Sequence, residues 1–111
     1  MIEATVINYL KEILNIPVYA EIPEKKPKNF VIVERIDSGD KDHIKAATLS
    51  VYSYGESLYD AASLDEDVKY AMKNMIILDI VSSCKLGGGG RNNDNANKLP
   101  RYESIFNVIF Y

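Results

Sequence analysis

Ala46-Ala47-Thr48-Leu49-Ser50-Val51-Tyr52-Ser53-Tyr54, the break at Gly55 and the run 57–75 decide how this chain folds. In 46–54, Ala47, Leu49 and Val51 alternate with Thr48, Ser50, Tyr52 and Tyr54, the period-two pattern of a strand with one buried and one wetter face. In 57–75, Leu64, Val68, Ala71, Met72 and Met75 recur at helical spacing and form the stripe of an amphipathic helix lying on a core. Two start signals compete: Ser57 with Asp60, and Ser63 with Glu66, which is the better capping box. Together they predict one helix from near Ser57, with room for a kink or restart near Ser63. Asp65 and Lys69, four apart in the favourable order, read as a weak surface pair.

Upstream, residues 2–14 form a first helix with Ile2, Val6, Tyr9, Leu10 and Ile13 on one face, stopped by Asn15 and Pro17. Residues 18–21 are a brief β-prone stretch suited to an edge, and 24–28, flanked by Pro23 and Pro27, is a solvated loop. Residues 30–36 are a strand with contact on both faces, and Asp37-Ser38-Gly39-Asp40 is turn chemistry opening a hairpin extended by residues 41–45. Downstream, 76–86 lacks a clean polar face, but its β-branched content favours a strand. The glycine- and asparagine-rich stretch 87–100 reads as a long loop joining two strands. Residues 101–111 close the chain as a strand, with Tyr102, Ser104, Phe106, Val108 and Phe110 on one side. The sum is an α+β domain spanning 1–111, ordered helix, strand, strand, strand, helix, strand, strand, with both helices on one face of a mostly antiparallel sheet.

Composition narrows the function classes. The 111 residues carry a formal net charge of -3, which disfavours general electrostatic binding to a duplex. The single cysteine forbids an internal disulfide. The start Met1-Ile2-Glu3 has neither the basic nor the apolar stretch of a signal peptide, and no apolar run reaches the ~20 residues of a membrane span. The expectation is intracellular synthesis and no membrane partner.

No motif carries recognisable chemistry. Gly87-Gly88-Gly89-Gly90 lacks the Gly-Lys-Ser/Thr ending and following helix of a phosphate loop. Asp37, Asp40 and Asp42 miss the calcium-loop spacing, and Asp65-Glu66-Asp67 diverge around a helix as a solvated first turn. A nucleophile built from Cys84 and His43 would need the two to meet beside a cation, which nothing in the sequence supports. Lys25, Lys26 and Lys28 are too few for a nucleic-acid footprint. No metal, cofactor or catalytic residue is therefore expected. Tyr52, Tyr54, Tyr102 and Tyr111 suit a surface covered by another protein, and equally suit ordinary strand propensity.

Several stretches together resemble a known family. Phe30-Val31-Ile32-Val33-Glu34-Arg35 leads through a turn to Thr48-Leu49-Ser50-Val51-Tyr52-Ser53-Tyr54 and on into Gly55-Glu56-Ser57-Leu58-Tyr59-Asp60-Ala61-Ala62. Val68-Lys69-Tyr70-Ala71-Met72 follows, and Arg101-Tyr102-Glu103-Ser104-Ile105-Phe106-Asn107-Val108-Ile109-Phe110-Tyr111 closes the chain. This succession is similar to the tail-terminator, or tail-completion, proteins of long-tailed bacteriophages and prophages. The resemblance lies in element order and strand character over nearly the whole chain.

It implies a non-enzymatic virion protein that assembles as a ring, commonly a hexamer, at the head–tail junction after synthesis in the bacterial host cytoplasm. Such a ring caps the tail tube and offers a head-joining surface. Its partners would be further copies of itself, the tail tube protein and a head-completion or connector protein, with phage DNA passing the lumen. A head-completion role is not distinguished from a terminator role, and the alternative class is a small sheet-based RNA- or ligand-binding module. Arg91, Lys98 and Arg101, together with Tyr52 and Tyr54, are the candidate partner-facing residues. The stretch 87–100 is expected to be mobile in the free subunit and to order in the assembly, or else to be a tolerated insertion.

Overall fold

The computed structural model describes residues 2–37 and 45–111. Its elements are α1 (Ile2–Leu14), β1 (Val18–Tyr19), β2 (Phe30–Arg35), β3 (Lys45–Tyr54), α2 (Leu58–Lys73), a 3-10 turn (Asn74–Ile77), β4 (Val81–Arg91) and β5 (Arg101–Phe110). The strands form one sheet in the order β1-β2-β3-β5-β4. Among the described residues only β1 pairs in parallel, and the other neighbouring strands are antiparallel. Two helices on one face of a mostly antiparallel sheet are the α+β architecture that the hydrophobic periods indicate.

The core lies between the helices and that face. Val6 and Leu10 of α1, Val68 and Met72 of α2, Leu49 and Val51 of β3, and Phe106 and Val108 of β5 share one buried cluster. The α2 stripe behaves as its spacing requires: Leu64, Val68, Ala71, Met72 and Met75 are all buried. Ser57 caps the helix, its side chain accepting from the Asp60 N–H, and α2 runs unbroken through Ser63. Asn15 ends α1 at φ 54, the left-handed stop asparagine tolerates. Gly55 is required where β3 turns into α2, because a Cβ there would lie 2.5 Å from the Ala61 backbone nitrogen.

Several expectations are corrected. Ile13 is 55% exposed, since the buried side of α1 is centred on Leu10 and swings toward Ile7 and Leu14. The stretch 76–86 is not one strand: α2 tightens into the 3-10 turn, and β4 begins only at Val81. The outer face of β3 is less wet than alternation suggests, because Tyr54 joins Phe30 and Ile32 in a second buried cluster and Ser50 is also buried. The largest correction concerns 87–100. Gly87 to Arg91 continue β4, and beyond a register shift at Gly87 the residues Gly88 to Arg91 pair with β5, leaving only 92–100 as connection, itself pinned by an Asp94–Leu99 bridge. Glycine weakens a strand but cannot prevent one when a neighbour presents its full ladder. Gly89 is suited to its place at φ 140, where a Cβ would meet the Glu103 carbonyl oxygen at 2.2 Å. Residues 38–44, holding most of the expected turn as well as Asp40, Asp42 and His43, lie outside the described residues.

Asp65 also departs from its sequence reading. It is neither a surface residue nor part of a solvated first turn: it is 2% exposed on the inner side of α2. Ser104 of β5 donates to its Oδ1 at 2.6 Å, and Lys69 Nζ lies 3.0 Å from its Oδ2. The Lys69 ammonium is held protonated above its usual range, chiefly by that contact with Asp65. A buried carboxylate costs several kcal/mol to desolvate unless its oxygens are satisfied, so this group fastens α2 to the middle of β5. Ser104→Ala leaves one buried oxygen unpaired and is expected to cost about 1.5–3 kcal/mol, as for other hydrogen bonds to charged groups. Urea denaturation measures the loss, and Asp65→Asn in the same chain should show strong non-additivity with it.

Candidate functional site

The sheet face away from the helices carries the side chains left free for recognition. Register places Ile32 of β2, Tyr52 of β3 and Glu103 of β5 on one rung across it. Tyr54 and Arg101 face each other on a neighbouring rung. Around them the connection 92–100 folds back, so that one end of the face becomes an organised polar cluster.

Arg101 is its centre. Its guanidinium lies 4.3 Å from the Tyr52 ring centroid and 5.6 Å from that of Tyr54. Its Nε donates to the Asn92 carbonyl at 2.7 Å and its Nη1 to the Tyr54 hydroxyl at 2.9 Å. The Tyr54 hydroxyl in turn donates to Asp94 Oδ2 at 2.9 Å, and Arg101 Nη1 stands 3.6 Å from the same oxygen. Tyr54 is 4% exposed, its ring stacked on Phe30 at 4.4 Å, so it acts as a wall that fixes the arginine. Cation–π contacts of this kind contribute roughly 0.5–2 kcal/mol depending on desolvation.

Asp94 is the group that sequence reasoning missed. Its Oδ1 accepts from the Asn97 backbone N–H at 3.0 Å and its Oδ2 from the Asn97 side chain at 2.9 Å. The signal was present as the Asp-Asn-Ala-Asn run 94–97, since Asp side chains commonly tie their own turn. Burial works against the charge on Asp94, but the Asn97 donors, the Tyr54 hydroxyl and Arg101 outweigh it and hold the carboxyl below its usual range. Beside it, Glu103 accepts from the Ser50 hydroxyl and, at 2.9 Å, from Asn92 Nδ2. Burial opposes this charge too, and the bonds from Ser50, Asn92 and Tyr52 again prevail, lowering its pKa. For Tyr54 the balance is reversed: burial raises the hydroxyl pKa although Arg101 opposes it.

The structure thus brings together Tyr52, Tyr54 and Arg101 of the candidate residues, and leaves two apart. Arg91, at the end of β4, pairs with Tyr102 in the ladder and points to the helix side. Lys98 is exposed in the connection at φ 55.

The cluster is built for shape and charge. Its arginine, acids and tyrosines are bonded to one another, and the Tyr52 face that a nucleobase would need is occupied by Arg101. Cys84, half-buried in β4, has its thiol pushed up to about 11 by burial, the reverse of what a nucleophile requires. Among the described residues no group of three histidine, cysteine or acidic side chains is placed to hold a metal ion. Among them, too, no helix is long and apolar enough to cross a membrane.

No family model and no curated protein matches this chain. Among solved structures, a chain of the virion of a native gene transfer agent particle has the same fold. The TM-score is 0.70, with 12% sequence identity, over 97% of this chain and 92% of that one. At that identity the likeness establishes shared architecture.

The lowered Asp94 and Glu103 carboxyls fix the sign of an acid response. Their stabilising contribution is complete above the ordinary carboxylate range and fades as pH falls through the lower values they hold when folded. Melting curves between neutral pH and pH 3 should therefore fall below about pH 4. Asp94→Asn should start lower and fall less; an identical acid limb in wild type and variant would remove Asp94 from the stabilising set.

Proposed function

We propose that this chain is a non-enzymatic structural protein of a phage-type virion, a tail terminator that works as one unit over 1–111. The observation that carries the proposal is the fold it shares, over nearly its whole length, with a chain of the virion of a native gene transfer agent particle. The succession of strands and helices that resembles tail-completion proteins supports the same reading from the sequence side. In this role the chain assembles as a ring, a hexamer, caps the tail tube at the head–tail junction, and gives a head-completion or connector protein its docking surface.

The open sheet face suits such a role. Arg101 and the acids around it are internally satisfied, so the end of the face is a rigid polar platform that holds its shape before any partner arrives. Lys98 stands exposed in the connection beside this platform, and Arg91, exposed at the end of β4 on the helix side of the sheet, adds positive charge there; both can serve an acidic neighbour or DNA in the lumen. Tyr52, half-exposed beneath Arg101, adds an aromatic contact of the type favoured at protein interfaces.

Native mass spectrometry over a range of protein concentrations tests the ring. The expected result is a closed species of six copies that grows at the expense of monomer, promoted by tail tubes from the same genome. A protein that stays monomeric both alone and with tubes would overturn the proposal.

A further inference from the structure

Strand β4 ends the sheet on one side, and its residues 85–91 are exposed. One side of its backbone is bonded into β5, and the other turns its N–H and C=O groups outward, a template for another strand. No proline interrupts the stretch, and a Cβ placed at Gly88 or Gly90 would meet nothing within 4 Å. The opposite edge of the sheet offers no such ladder, because β1 is two residues long between Pro17 and Pro23.

A cleft of about 670 Å³ runs along this edge on the helix side, between α2 and β4. Gly89 opens it: it pairs with Ser104, which reaches Asp65 of α2, so a side chain at 89 would stand in the space beneath the helix. Tyr59, Ala62, Leu86 and Tyr102 supply apolar wall, with Tyr59 82% and Leu86 54% exposed. The charges within it are mixed and largely engaged: Lys69 binds Asp65 and Glu66, which leaves Asp67, exposed to water. At the two ends of the edge the charges are positive. Lys85 stands at one end, with Lys73 near it beside Cys84 and Leu86, and Arg91 stands at the other. None of these three makes an ion pair among the described residues.

We infer that the β4 edge and the cleft beside it form a strand-addition site for an extended segment of a different protein, with a neutral aromatic centre and an acidic residue at each end. The inference goes beyond the ring and does not depend on it. A strand added here lies about 4.8 Å from β4, with alternate side chains entering the cleft and the others lying over the open face. Main-chain hydrogen bonds then give affinity, and the cleft gives specificity. Aromatic side chains suit the centre because they cover edge glycines that have no side chain of their own. Acidic ends meet Lys85, Lys73 and Arg91. A second copy's β4 does not fit this description: it has no acidic residue, so the pairing would set positive charge against positive charge.

Peptide binding to the full chain tests it. The probe is the capped peptide Glu-Thr-Tyr-Val-Tyr-Thr-Glu, compared with the same peptide ending in lysines and with one carrying proline in place of valine. Amide hydrogen exchange reads the edge, and fluorescence anisotropy reads affinity. The glutamate peptide should slow exchange within 85–91, and the lysine peptide should bind about tenfold more weakly, the effect of reversing two exposed cross-strand charge pairs. The proline peptide should give no protection. The variant Lys85→Glu with Arg91→Glu changes two exposed side chains, and circular dichroism checks its fold. It should reverse the preference and favour the lysine peptide. Ser63→Trp, at an exposed position lining the cleft, should weaken both peptides by filling the space that the tyrosines need. If millimolar glutamate peptide leaves exchange at 85–91 unchanged, or glutamate and lysine peptides bind wild type equally, the inference is overturned. If 85–91 becomes protected in the protein alone as its concentration rises, and peptide no longer binds, the edge belongs to a second copy and the inference is again overturned. None of these results bears on whether the chain forms a ring by other contacts.

Discussion

Strand β5 is the element on which the rest of the molecule depends. It pairs along its whole length with β3, from Arg101 opposite Tyr54 to Phe110 opposite Lys45, and on its other side it carries β4. Its inward residues Phe106 and Val108 complete the core under the helices, and Ser104 reaches up to Asp65 of α2. Its outward residues Arg101 and Glu103 build the polar cluster on the open face. One strand therefore joins the helix layer, the sheet and the candidate site.

The same dependence explains the glycine strand. Each glycine in a strand interior is unfavourable by about 0.5–1 kcal/mol relative to alanine. Gly87–Gly90 belong to a strand because β5 supplies ladder partners for Gly88, Gly89 and Gly90, with hydrogen bonds that contribute about 0.5–1.5 kcal/mol each. The register shift between Leu86 and Gly88 and the positive φ at Gly89 are tolerated for the same reason. An edge without side chains results, narrow enough for another backbone to approach.

Where local pattern and burial agree, the fold was legible from the sequence. The α2 stripe, the inward face of β3, the apolar run of β2 and the alternation of β5 each state their own environment through period and hydrophobicity. Misreadings arose where a residue answers to something distant in sequence. Asp65 sits in an acidic run and looks solvated, yet Ser104, 39 positions away, draws it inside. Gly87–Gly90 have loop composition and are strand only through β5. Tyr54 follows the alternation to the outer face and is buried there by Phe30 and its bonds to Asp94 and Arg101. For the site, Tyr52, Tyr54 and Arg101 stood out by residue type, whereas the Asp94 anchor needs the fold to show that its turn lies against Tyr54. Where Arg91 and Lys98 face could not be read from composition at all.

A terminator must do more than form a ring: it must stop a polymer. That gives the most direct measurement. Tail tube protein from the same genome is polymerised with and without this chain, and tube lengths and ends are recorded by negative-stain electron microscopy. Shorter tubes, with added ring density at one end only and growth arrested there, are the predicted result. Tubes of unchanged length with bare ends, at chain concentrations sufficient for assembly, would contradict a terminator function.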